Sequence, residues 1–200
     1  PSASGVDPNE RRWNEGAFAL QDEAYALGAM GISAVPALLE LLEHEDSWIK
    51  INAAFALGEA GSVTAVPALA AQLQHQRHQV VRQVLDAIAC IGTVTDRSRT
   101  EIRRLLTTSN PDWQEVIGRG WSGEDQVRFN AMCALLNGDV PVKDLEELLV
   151  SCLKDRNGYV AALALEMLTT GGSAYGMRHA LNYLKTHRWD DTLGKGQRVY

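Results

Sequence analysis

Apolar residues recur along the chain at helical spacing. Ile49, Ala53, Ala56, Leu57 and Ala60 fall at i, i+4, i+7, i+8 and i+11, which predicts one apolar stripe along a helix. Gly61 follows, in the left-handed position that ends helices. Pro67 then sits in the first turn of a second helix, where its missing N–H would be unpaired anyway. Leu69 and Leu73 carry that second stripe, and the small residues Ala53, Ala54 and Ala56 allow close approach by neighbouring helices. Neither helix can bury its stripe alone, so such pairs must stack.

The unit repeats. Ala34-Val35-Pro36-Ala37-Leu38 returns as Ala65-Val66-Pro67-Ala68-Leu69, about 31 residues on. Tyr25-Ala26-Leu27-Gly28 returns as Phe55-Ala56-Leu57-Gly58, with a worn third copy at Asp86-Ala87-Ile88-Ala89. Later, Val127-Arg128-Phe129-Asn130-Ala131 resembles Ile49-Lys50-Ile51-Asn52-Ala53, and Gly138 with Pro141 repeats the Gly-stop and Pro-start punctuation. Closing glycines at 31, 61, 92, 138 and 171 predict an all-α solenoid of about five helix pairs, at roughly 9–43, 46–75, 77–107, 123–153 and 157–186. The long interval after Gly92 predicts an insertion near 108–122, carrying Trp113 and Trp121. The reading is one repeat domain over 1–186 and an extended tail over 187–200. Pro1 and the polar stretch Gly194–Tyr200 read as the ends of a piece of a longer protein.

Composition adds to this picture. Hydrophobic residues make up 46% and aromatic residues 6%, and the three cysteines follow no ligand spacing. They read as free thiols in a reducing compartment, hence a cytoplasmic protein. No apolar run is long enough to predict a membrane span or a membrane partner. The net charge of −6 argues against nucleic acid, whose phosphates demand cations. The charge is uneven, however. Residues 75–104 hold Arg77, Arg82, Arg97, Arg99, Arg103 and Arg104 against Asp86, Asp96 and Glu101, a local basic patch suited to an anionic group on a ligand or partner.

The phrases Ala-Leu-Gly-x-x-Gly and Ala-Val-Pro-Ala-Leu, with a basic residue near the head of the first helix, resemble HEAT repeats, and most closely the subtype named after phycobilisome (bilin) lyases. The resemblance is strong over 24–92 and implies a right-handed α-α superhelix. It also implies a ladder in which an Asp of each inter-repeat turn pairs with a basic residue of a first helix. Lys50, Arg82 and Arg128 stand at the basic positions. His44 and His75 stand where the Asp is expected in repeats two and three, and Asp155 keeps it in repeat five. A neutral imidazole can still accept a hydrogen bond, so a structural role survives.

Nothing in the chain demands catalysis. His75 and His78 lack a third metal ligand, and the His-Glu pairs of iron-binding HEAT-type hydroxylases are replaced here by Asn52-Ala53. Cys90, Cys133 and Cys152 lie in apolar phrases and read as buried and inert. No catalytic residue, resident cofactor or metal is therefore expected. The expected function is a scaffold that binds a protein on the concave face, which second helices line in such stacks. The residues expected to touch the partner are Glu40, His44, Gln72, Gln74, Arg99, Arg103, Arg104, Trp113 and Trp121. The resemblance implies an alternative: a bilin lyase subunit or chaperone, acting as one chain of a heterodimer. It would transfer phycocyanobilin to a phycobiliprotein, with the arginines holding propionates and the tryptophans holding rings.

Overall fold

The computed structural model describes residues 22–117 and 120–186, and within them the chain is helical almost throughout. Ten α-helices run in order: α1 Asp22–Ala29, α2 Val35–Leu42, α3 Ser47–Ala60, α4 Val66–Gln72, α5 His78–Ile91, α6 Asp96–Thr107, α7 Gly123–Asn137, α8 Val142–Cys152, α9 Gly158–Gly171 and α10 Ala174–Thr186. The last four predicted pairs match α3–α10 to within a few residues. The start of the first pair (9–21) and the tail 187–200 lie outside the described residues.

The caps explain the agreement. Gly61 and Gly92 end α3 and α5 with φ of 66° and 74°, a region that only glycine enters without strain. Pro36 and Pro67 occupy the first turns of α2 and α4. Each of these helices is preceded by a 3₁₀ turn, Gly31–Ala34 and Val63–Ala65. Helix starts are held by Asp46, Thr95, Ser122 and Asn157, whose side chains accept backbone N–H groups. Gly138 ends α7 differently, with φ of −74°. There glycine is required for space: a Cβ would stand 2.6 Å from a Val94 methyl carbon.

The helices form two layers. The first helices of each pair, α1, α3, α5, α7 and α9, stack in sequence, and the contact is closest between α5 and α7. The second helices, α2, α4, α6, α8 and α10, form the other layer. Leu57, Leu69, Leu85, Ile88, Ile102, Met132, Leu135 and Leu145 fill the seam between layers and are fully buried. Each such side chain contributes about 1.5–3 kcal/mol by leaving water. Small residues set the spacing, as predicted: at Gly58 of α3 a Cβ would lie 2.9 Å from Ala87 Cα of α5. The second layer has one break. α4 packs on α6 and α8 on α10, whereas α6 and α8 make at most marginal contact. The turns beside that break remain joined, with Val94 N–H donating to Asp139 Oδ1 at 3.1 Å.

The insertion lies at this break. It contains a 3₁₀ turn, Pro111–Trp113, and a short antiparallel pair, β1 Val116–Ile117 with β2 Trp121–Ser122. The predicted loop is thus partly a hairpin.

Candidate binding surface

The inter-repeat turns share one hydrogen bond made by three residue types. His44 Nδ1 accepts from Asp46 N–H at 2.9 Å, and His75 Nδ1 accepts from Arg77 N–H at 3.0 Å. Asn110 Oδ1 accepts from Asp112 N–H at 3.1 Å, and Asp155 Oδ1 accepts from Asn157 N–H at 2.8 Å. The bond to imidazole requires an unprotonated Nδ1. Burial and the nearby charge of Lys50 lower the His75 pKa and favour that form.

The ladder above the turns is intact at one rung. Arg128 Nε donates to Asp155 Oδ2 at 2.9 Å, a second guanidinium nitrogen reaches the same oxygen, and the Asp155 side chain is wholly buried. At the altered rung Lys50 Nζ donates to Leu42 O at 2.8 Å and Gln72 Oε1 at 3.2 Å, while Gln72 Nε2 donates to Glu43 Oε1 at 3.1 Å. Arg82, like Arg128, stands one position nearer its closing glycine than Lys50 does.

This geometry relocates several predicted contact residues. Gln72, 8% exposed, is committed to Lys50 and Glu43 and is not available at the surface. Trp113, 6% exposed, fills the joint between repeats, its indole N–H donating to Gln76 O at 2.7 Å. Trp121 is half-buried and leans on the first-helix layer, with its ring centroid 5.6 Å from Phe129 and 5.2 Å from Tyr159. Sequence reasoning missed this aromatic trio because Phe129 and Tyr159, 6.2 Å apart, meet only where α7 packs on α9, and the hairpin then brings Trp121 onto them. Arg156 was missed as well. It ties the insertion to α7 through Glu124 at 3.2 Å and Gln114 Oε1 at 2.9 Å.

The remaining predicted residues lie on the second-helix layer. Glu40 and His44 are exposed at α2, and Gln74 is exposed just past α4. On α6, Arg99 pairs with Asp96. Arg104 Nε donates to Glu101 Oε2 at 2.9 Å and another of its nitrogens donates to Leu73 O at 3.2 Å. Gln74 Nε2 donates to Glu101 Oε1 at 2.8 Å. Burial raises the Glu101 pKa, but hydrogen bonds from Arg104 and Gln74 and the charges of Arg104 and Arg97 outweigh that and hold it low. Arg103 is exposed, as is Arg97, which the sequence reading counted in the basic patch but left out of the contact set. Neither forms an ion pair among the described residues.

The thiols are not paired. Cys152 is buried and Cys133 half-buried, but Cys90 is exposed, contrary to expectation. Its apolar phrase closes α5, and Cys90 falls on the side of the helix opposite the buried Ile88. Burial pushes the Cys152 thiol up to about 11, and burial with Asp86 and Glu59 raises Cys90, so neither is an activated nucleophile. No group of three or more metal-ligating side chains converges among the described residues. No single described helix is long and apolar enough to cross a membrane.

Two stacked layers of paired helices with one charged flank define an all-α helical solenoid. A family model for HEAT repeats matches residues 23–89, which supports a HEAT-repeat protein. The matched stretch is α1 to most of α5, and the same pairing of helices continues to Thr186. No curated protein matches the chain.

Proposed function

We propose that this protein is a scaffold that holds a protein partner on the concave face lined by α2, α4, α6 and α8. HEAT repeats commonly mediate protein–protein interaction, and solenoids offer extended surfaces for it. The observation that carries the assignment is the state of α6: four arginines on the second-helix layer, two of them exposed and without an ion pair. Arg is among the residue types most enriched at interface hot spots. Glu40, His44, Gln74, Arg99 and Arg104 frame the same face.

The tetrapyrrole reading has less support. It needs the arginines and tryptophans to share one site. Trp113 borders the turn that Arg104 touches, but it is buried, and Trp121 stands with Phe129 and Tyr159 on the other layer.

A photo-crosslinking amino acid placed at Arg103, at Gln74 or at Tyr159 tests the assignment in living cells. Discrete protein adducts from the first two positions, with none from Tyr159, are the expected result. Adducts from Tyr159 alone would move the interface to the first-helix layer and overturn the assignment.

A further inference from the structure

The second-helix layer carries charge in bands. α2 presents the exposed acid Glu40, with Glu43 and Glu45 exposed just beyond it. α4 presents no charge at all, since its outward residues are Pro67, Ala68 and Ala71. α6 presents Arg97, Arg99, Arg103 and Arg104, with Asp96 and Glu101 each engaged by one of them. α8 then presents Asp144 and Glu147 against one exposed base, Lys143, and neither acid is in an ion pair among the described residues. The basic band is therefore one helix wide and bounded by acidic ridges on both sides.

That pattern selects its occupant. Packed helices lie about 8–10 Å apart, so a band one helix wide admits one helix of about 10–12 Å diameter along it. A long polyanion such as nucleic acid would have to cross Asp144 and Glu147 or the α2 acids, and would be repelled at each crossing. A short segment laid along α6 meets four arginines against two acids, Asp96 and Glu101, each already paired with an arginine. Arg97 and Arg104 are two helical turns apart on one flank of α6, and Arg99 and Arg103 are one turn apart on the other. Carboxylates repeated at one-turn spacing along the outward ridge between them would be met by long arginine side chains from both flanks.

We infer that α6 docks a short acidic segment of the partner protein, helical and carrying carboxylates at one-turn spacing, laid along the outward ridge of α6. This rests on the second-helix layer being the partner face. Affinity comes from the exposed Arg97 and Arg103. Arg99 and Arg104 are already held by Asp96 and Glu101 and shape the rim.

Fluorescence anisotropy of the full chain with three labelled probes tests the inference. The probes are a synthetic helical peptide with Glu at every fourth position, its Gln counterpart, and a single-stranded DNA oligonucleotide of equal charge. The Glu peptide is expected to bind with a Kd of about 10–100 μM at low salt, and at least roughly tenfold more tightly than the Gln peptide. Binding should weaken as salt rises. Arg97→Glu with Arg103→Glu should weaken it by a further factor of roughly ten. Arg178→Glu with Lys185→Glu on α10, an equal charge change at the far end of the array, should leave it within about twofold. Circular dichroism of each variant confirms that these surface changes leave the fold intact. Equal binding of the Glu and Gln peptides, or binding indifferent to the arginine reversal, would sink the inference. So would DNA binding as tightly as the Glu peptide. If the peptide result fails while crosslinks still form from Arg103 and Gln74, the partner face stands and only its acidic occupant is wrong.

Discussion

His78 opens α5 with its imidazole pressed against Gly123, where a Cβ would meet ring carbons at 2.6 Å. The residue is 8% exposed, and its buried Nδ1 has no hydrogen-bond partner. Burial, with the charge of Arg82 one turn on, lowers its pKa to about 4. The folded value lies below the ordinary 6.5, so the stabilisation is complete above that pH and is lost as pH falls toward 4. The loss amounts to about 3 kcal/mol. His75 is shifted in the same direction and adds to it. Glu101 is held low instead and gives up its stabilisation only below the ordinary carboxylate range, so the two windows separate. Urea unfolding near neutral pH and near the lowered His78 value should show the histidine loss. His78→Gln should remove most of it. A variant with the full acid sensitivity of the parent would exclude His78 as the source. Asp155 does two tasks at once, accepting from Asn157 N–H and pairing with Arg128. Asp155→Ala should therefore cost about 3–5 kcal/mol by chemical denaturation. Asp155→Asn retains the turn acceptor and should cost clearly less; equal losses would mean that the turn bond contributes little.

The helices themselves were the most legible feature of the sequence, because each carries its own start and stop. Gly61, Gly92, Pro36 and Pro67 act within a few residues of themselves, so their positions predict boundaries without knowledge of packing. The turn acceptors were legible for the same reason: His44, His75 and Asp155 bond two residues ahead. Gln72 and Trp113 were misplaced because their partners Glu43 and Gln76 are distant in sequence, 29 and 37 residues away. A polar residue on a helix flank looks the same in sequence whether it meets solvent or a buried lysine. The hairpin was missed because strands this short carry no alternation. Packing at the element scale makes its own prediction at Gly58. Gly58→Ala gains about 1 kcal/mol of helix propensity but forces a Cβ against Ala87 Cα, and overpacking typically costs about 1–3 kcal/mol. The net should be destabilising, by roughly 1 kcal/mol, seen as a lower thermal midpoint. A raised midpoint would show that α3 and α5 can part without loss.

For the whole molecule, stacking makes stability a sum of neighbour terms, highest in the middle of the array. Val80 to Ile88 of α5 and Ala131 to Leu135 of α7 are among the most completely buried segments, and among the described residues α10 has neighbours on one side only. Amide hydrogen exchange should therefore be slowest in α5 and α7 and fastest in α10, whose Leu181 and Leu184 are exposed. Comparable rates in α10 and α5 would contradict a nearest-neighbour stack.

The break between α6 and α8 has a mechanical consequence. On one side of that joint the chain has its closest helix contact, α5 on α7, and on the other it has almost none. A joint bound along one edge opens as a book does about its spine, with α5 and α7 as the spine and the facing edges of α6 and α8 as the pages. Opening that edge parts fewer helix contacts than separating α5 from α7, so a hinge at this joint would widen the gap between the basic band of α6 and the acids of α8. A partner seated on α6 would therefore be felt first as a change in the angle between the front and rear halves of the array.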